Sequence, residues 1–213
     1  MSAPPVLFDL DGVLADSRRP IIDNVNAALV ALGFERRSDA EVTPIIGPPT
    51  EIGMGVLLGV APEDPLVDRA VREYRARYVH TLEHTESFPG VPELLHELAG
   101  ERLLGVATSK PRRFALPILE AMGVAPLFAY VAGPEPGGPS DKHAMVAEAL
   151  GALPGAAVIV GDRRYDIEAA LDHGLHAIGV TWGFGDREEL TAAGAHELVD
   201  DSAALRASLR VIA

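Results

Sequence analysis

Two pairs of aspartates stand out by spacing and setting: Asp9 with Asp11, followed by Gly12, and Asp162 with Asp166, preceded by Gly161. Residues two apart on an extended strand lean to one face, and residues four apart at a helix start share a side. Each pair is therefore expected to act as a unit. Four carboxylates gathered in one crevice repel and lose solvation together, and a divalent cation relieves both. Oxygen ligands in a chain without cysteine point to a hard ion, Mg²⁺. That ion dehydrates reluctantly and is usually held by one or two carboxylates plus a phosphate, so phosphate-binding groups should lie nearby. The run Thr108-Ser109-Lys110 offers hydroxyls, and N–H groups at the start of a helix over 111–122 would add to them.

A fixed positive charge is needed as well. Among 18 basic residues only Lys110 and Lys142 are lysine. A compact ammonium on a flexible stem can touch a carboxylate and a phosphoryl oxygen together where a planar guanidinium would not fit. Lys142 is expected to supply this charge, with Lys110 at the rim. Plainer duties compete for the same residues: acids at turns, Thr108 as a helix cap, Lys142 as a solvated lysine, Asp162 and Asp166 as helix-dipole partners. His80 and His84 are four apart near the exit of the insert but do not show paired spacing with an acidic ligand set. Trp182 and Phe184 are expected to pack a surface loop.

The elements that must position these residues follow from a rhythm of short β-type runs and amphipathic helices. Strands are expected over 6–10, 102–108, 127–131, 156–160, 176–180 and 196–199, and helices over 111–122, 141–150, 164–173 and 187–193. Gly123, Gly151, Gly174 and Gly194 each follow such a helix, where a left-handed residue closes it. Alternating strands and helices mean βαβ units, and the all-apolar Val158-Ile159-Val160 suits a strand covered on both faces. The expected fold class is α/β, a doubly wound parallel sheet whose ligands bind beyond the carboxyl ends of its strands.

Residues 16–84 break the rhythm. Ile22, Val25, Leu29 and Leu32 mark one helical stripe, ended by Gly33; Ser38 and Glu41 form a capping box; Val67, Ala70, Val71, Tyr74 and Tyr78 mark a longer helix. No strand is expected there. The division is a core over 1–15 and 85–213, with an all-helical insert over 16–84.

Composition narrows the field. A chain of 213 residues, 48% hydrophobic, suits one large domain with a small insert and excludes a disordered chain. Eighteen Lys+Arg against 31 Asp+Glu give −13, which argues against nucleic acid and anionic membranes as partners. The absence of cysteine excludes a disulfide framework, a thiolate metal site and a cysteine nucleophile. The longest apolar run, 121–134, is too short and too broken by Pro and Gly to span a bilayer. The first eight residues carry no side-chain charge, so no signal peptide is expected and the location should be cytoplasmic.

In this order the residues resemble the haloacid dehalogenase superfamily of hydrolases over nearly the whole chain. Its DxDGxL motif reads Asp9-Leu10-Asp11-Gly12-Val13-Leu14, and its Thr or Ser after the next strand is Thr108. Its later lysine is Lys142, and its GDxxxD motif reads Gly161-Asp162-Arg163-Arg164-Tyr165-Asp166. The resemblance implies a phosphoaspartyl mechanism, with Asp9 as nucleophile and Asp11 as general acid and base. It implies Mg²⁺ held by Asp9, the Asp11 carbonyl and Asp162, with Asp166 acting through a water or from behind. Thr108, Ser109 and Lys142 would hold the phosphoryl oxygens.

Members that cleave carbon–halogen bonds lack the second aspartate of the first motif, so Asp11 implies a phosphatase. The stretches 46–49, 107–111, 160–163 and 179–183 are similar to the phosphoglycolate-phosphatase-like and 5′-nucleotidase-like branch. The insert would be a cap, with the loop 43–50 and Arg72, Arg75 and Arg77 as candidate selectors of an anionic leaving group. The implied reaction is Mg²⁺-dependent hydrolysis of a small-molecule phosphate monoester by a monomer or homodimer. A 5′-nucleotidase, a sugar-phosphate phosphatase and a β-phosphoglucomutase-like mutase share these motifs. A phospho-acceptor signalling module is the non-enzymatic alternative, although receivers are shorter and lack an insert after the first strand.

Overall fold

The computed structural model describes residues 3–212, the Glu83 side chain apart, so residues 1, 2 and 213 of the expected core lie outside it. The chain opens with β1 (Val6–Phe8) and β2 (Ala15–Asp16). It then runs through helices α1 (Arg18–Ala31), α2 (Asp39–Val42), α3 (Thr50–Leu58) and α4 (Pro65–Tyr78), and returns by β3 (Glu86–Ser87). The remainder alternates: α5 (Val91–Ala99), β4 (Leu104–Ala107), α6 (Arg112–Ala121), β5 (Phe128–Ala132), α7 (Lys142–Ala152) and β6 (Val158–Gly161). It closes with α8 (Arg164–Asp172), β7 (His176–Val180), α9 (Arg187–Ala192), β8 (Glu197–Val199) and α10 (Ser202–Val211). No helix among the described residues is long and apolar enough to cross a membrane.

Six strands form one parallel sheet in the order β5-β4-β1-β6-β7-β8. Successive strand residues serve different cores. Val6, Phe8, Val158, Val160, Ile178 and Val180 pack with Leu94, Leu98, Ile118 and Leu209 of α5, α6 and α10. Leu7, Ile159 and Ala177, from the positions between, pack with Val146, Ile167 and Leu190 of α7, α8 and α9. Helices therefore cover both faces, which is why these strands read as unbroken apolar runs. The chain steps from β1 out to β4 and β5, then crosses to β6 on the other side of β1. Beyond the carboxyl ends at that reversal lies the crevice this architecture offers a ligand.

Several boundaries differ from expectation. β1 stops at Phe8, because Leu10 begins a turn whose carbonyl accepts from Leu14 N–H (3.0 Å) and Ala15 N–H (2.9 Å). Asp11 is therefore not on an extended strand with Asp9. Gly12 holds φ +89°, and a Cβ there would overlap the Asp162 carboxylate, so glycine is required for both backbone and space. Gly151 lies inside α7 rather than beyond it, while Gly123, Gly174 and Gly194 take the left-handed conformation. The pair β2–β3, antiparallel and two residues per strand, joins the entry and exit of the helical segment. A ladder that short has no periodicity to read. Within the segment the Glu41 carboxylate accepts from the Ser38 N–H at 2.8 Å, and Val67, Ala70, Val71, Tyr74 and Tyr78 are all buried.

Candidate active site

Three adjacent strands deliver the chemistry. Asp9 follows β1, Thr108 follows β4 and Asp162 follows β6. Phe8 is level with Val106 on one side and Val160 on the other, so Thr108 and Asp162 stand one residue beyond Asp9. The first turn of α8 adds Asp166, and α7 starts with Lys142. Asp9, Asp162 and Asp166, all buried, each bring an oxygen within 4.8 Å of the others.

The Lys142 ammonium lies 2.8 Å from Asp9 Oδ1 and 2.8 Å from Asp166 Oδ1, and donates to the Ala107 carbonyl at 2.9 Å. Its three donors thus face three acceptors, and a phosphoryl oxygen would have to displace one of them. Burial works to lower the lysine's pKa, but Asp166 and Asp9 outweigh it and hold the group charged. Asp166 is pushed up from 3.8 to about 6, chiefly by burial, with Lys142 pulling the other way. Burial also raises Asp162 well above the carboxylate range, and the charges of Asp166 and Asp9 add to it.

Three acids against one ammonium leave negative charge in excess. Asp162 Oδ2 accepts from the Phe184 N–H at 2.7 Å, while its buried Oδ1 finds no donor among the described residues. An orphaned carboxylate oxygen beside two further carboxylates, with no softer donor, fits a hard divalent cation.

Asp11 belongs to a different contact set. Its Oδ1 accepts from Ser17 Oγ at 2.5 Å and its Oδ2 lies 3.0 Å from the Lys110 ammonium. Lys110 is not at the rim as expected: its side chain is 6% exposed, pairs with Asp11 and donates to the Tyr78 hydroxyl at 2.7 Å. The ammonium also sits 4.5 Å from the centre of the Tyr78 ring. Asp9, Asp11, Thr108, Ser109 and Lys110 line one side of a small cavity of about 60 Å³. Two of the expected N–H donors at the start of α6 are already engaged, Arg112 N–H with the Pro134 carbonyl and Phe114 N–H with that of Pro111, and just before the helix Lys110 N–H donates to Thr108 Oγ1.

The helical segment forms the other side of the cavity. From the loop 43–50 come Ile46, Gly47, Pro48 and Thr50. Of the three candidate arginines only Arg75 reaches it; Arg72 is exposed, and Arg77 pairs with Glu73 at 3.4 Å. His80 and His84 are exposed and outside the acidic cluster. Trp182 packs as expected, donating to the Val13 carbonyl at 3.2 Å, whereas Phe184 also supplies the backbone donor to Asp162.

Arg163 has a role that its residue type and spacing do not reveal. Buried, it pairs with Glu189 at 2.9 Å and donates to the carbonyls of Ile46 and Pro44, bridging the Asp162 loop and the helical segment. Its place inside the GDxxxD run was the only available signal.

Residues 6–180 match the family model described as haloacid dehalogenase-like hydrolase. A 5′-nucleotidase of Pseudomonas aeruginosa is 36% identical over 211 residues, covering 95% of this chain and 94% of that protein. The phosphoglycolate phosphatase of Escherichia coli is 33% identical over 215 residues, covering 87% of this chain and 84% of that one. The crystal structure of a predicted phosphatase from Clostridium acetobutylicum superposes with a TM-score of 0.92 at 31% identity, covering 99% of this chain and 100% of that one. The parallel sheet, the acids at its central strand ends and these likenesses converge: the chain belongs to the haloacid dehalogenase-like hydrolase family, as one of its phosphatases.

Proposed function

We propose that this chain hydrolyses a small-molecule phosphate monoester, of the phosphoglycolate type, with Mg²⁺ and through a phosphoaspartyl intermediate. Asp9 carries the reading: it is the one member of the buried acid cluster that also lines the cavity. Its carboxylate would attack phosphorus as the ester P–O bond breaks, splitting one hard displacement into two. Asp11, which lines the same cavity, would give its proton to the departing alcohol oxygen. It would then take a proton from the water that attacks the phosphoaspartate, and phosphate and Asp9 are released. Thr108, Ser109 and Lys142 would orient the phosphoryl oxygens.

Asp9, Asp162 and the Asp11 carbonyl would hold the cation, with Asp166 behind them holding Lys142. The ion would shield the attacking carboxylate from the phosphate and gather charge as it develops. The helical segment would serve as the cap, keeping water out of the first half-reaction. The nucleotide-acting name of one relative supports a second leaving group, a nucleoside, on the same machinery.

A phosphate-release assay on phosphoglycolate, nucleoside monophosphates and sugar phosphates, with Mg²⁺ or with EDTA, tests the reading. Turnover that needs Mg²⁺ and is lost in Asp9→Asn is expected. No release from any ester, with stable labelling of Asp9 by acetyl phosphate, would instead favour a phospho-acceptor module.

A further inference from the structure

The cavity beside Asp9 has a neighbour. Past Arg75 and Pro111, which line both, lies a second cavity of about 160 Å³ bordered by Glu51, Arg113 and Ser140. Arg75 on α4 and Glu51 on α3 form an ion pair at 2.9 Å, each side chain about one-third exposed. Thr50, the residue before Glu51, still faces the inner cavity, so the pair stands at the boundary. Sites for drug-sized ligands run to roughly 300–1,000 Å³. The inner space, about 60 Å³, is the smaller of the two and suits a short leaving group.

Charge points the same way. Lys110, the other cation on the inner wall, is already committed to Asp11. Arg75 lines the inner cavity and meets Glu51 through Nη2, which leaves the rest of its guanidinium to face an anionic end.

We propose that the Glu51–Arg75 pair is the specificity gate of the site. Closed, it confines the leaving group to the inner cavity and favours a short hydroxy acid whose carboxylate meets Arg75. Parted, it joins the two cavities, and a longer ester reaches toward Arg113. The inference rests on the phosphatase reading above and deepens it.

The test is kcat/KM for phosphoglycolate and for AMP, measured on the full chain with Mg²⁺ for wild type, Glu51→Ala and Glu51→Gln. The ratio of AMP to phosphoglycolate should rise about tenfold or more in Glu51→Ala, and by a smaller factor in Glu51→Gln, which keeps the bulk. The ratio is internal to each preparation, so partial loss of folded protein cancels. A ratio within about twofold of wild type in both variants overturns the gate while leaving the phosphatase intact. Absence of turnover on every monoester in the wild type overturns the phosphatase reading, and the gate falls with it.

Discussion

Asp9 and Lys110 make the sharpest demands on single side chains. Asp9→Asn is nearly isosteric and should keep the fold, judged by an unchanged thermal melt, while turnover falls by ~10³-fold or more. Retained activity would remove Asp9 as nucleophile. Lys110→Met deletes the cation 3.0 Å from Asp11 and leaves Ser17 as its remaining side-chain contact. An acid held less well should hurt poor leaving groups most. The loss on alkyl phosphates is expected to exceed that on p-nitrophenyl phosphate by about tenfold, and equal losses would contradict the assignment. Asp162→Asn should raise the Mg²⁺ concentration needed for half-maximal activity before it abolishes turnover; an unchanged requirement would exclude Asp162 as a ligand. The scarcity of lysine marked both Lys110 and Lys142 in the sequence. What it could not convey was depth, because Lys110 is buried by Tyr78 from a helix 32 residues earlier in the chain.

Elements explain which parts of the site were legible. Each acid or hydroxyl next to the end of β1, β4 or β6 could be located, because buried parallel strands are short apolar runs and the first polar residue after them marks the crevice. The helical stripe of α4 was legible for the same reason, its buried positions repeating at helical spacing. The turn after Phe8 was not: Asp9-Leu10-Asp11 looks like a continuing strand, and only backbone bonds to Leu10 reveal the break. Nor was the docking of Arg163 legible, since its carbonyl acceptors on Ile46 and Pro44 are set by tertiary packing rather than residue type. Arg163→Met should strip those carbonyls and Glu189 of their donor. A loss of about 1–3 kcal/mol in denaturant unfolding is expected, with a raised KM as the loop 43–50 loosens. A variant as stable as wild type with an unchanged KM would show that this bridge is idle.

Across the whole molecule, protonation of the acid cluster would oppose the binding of a cation there. Asp166 is raised from 3.8 to about 6 without metal, and Asp162 is raised with it. Between those two pH values the folded chain holds protons that the unfolded chain has lost, so this contribution to stability is full below 3.8, falls as pH rises, and is gone above about 6. A cation must displace the same protons and replaces what they supplied. The Mg²⁺-induced rise in melting temperature should therefore be smaller at pH ~5, below the Asp166 value of about 6, than at pH ~7, above it. An equal rise at both would detach these acids from the ion.

The β2–β3 ribbon has a consequence of its own. Because it pairs Ala15 with Ser87 and Asp16 with Glu86, the helical segment leaves and rejoins the chain at neighbouring points, about 5 Å apart across a ladder. The register of the six-stranded scaffold is set outside this ribbon, so a segment of different length entering and leaving at the same two points need not shift it. Chimeras that graft another family member's segment at this seam would test whether selectivity travels with the segment while the chemistry stays with the sheet.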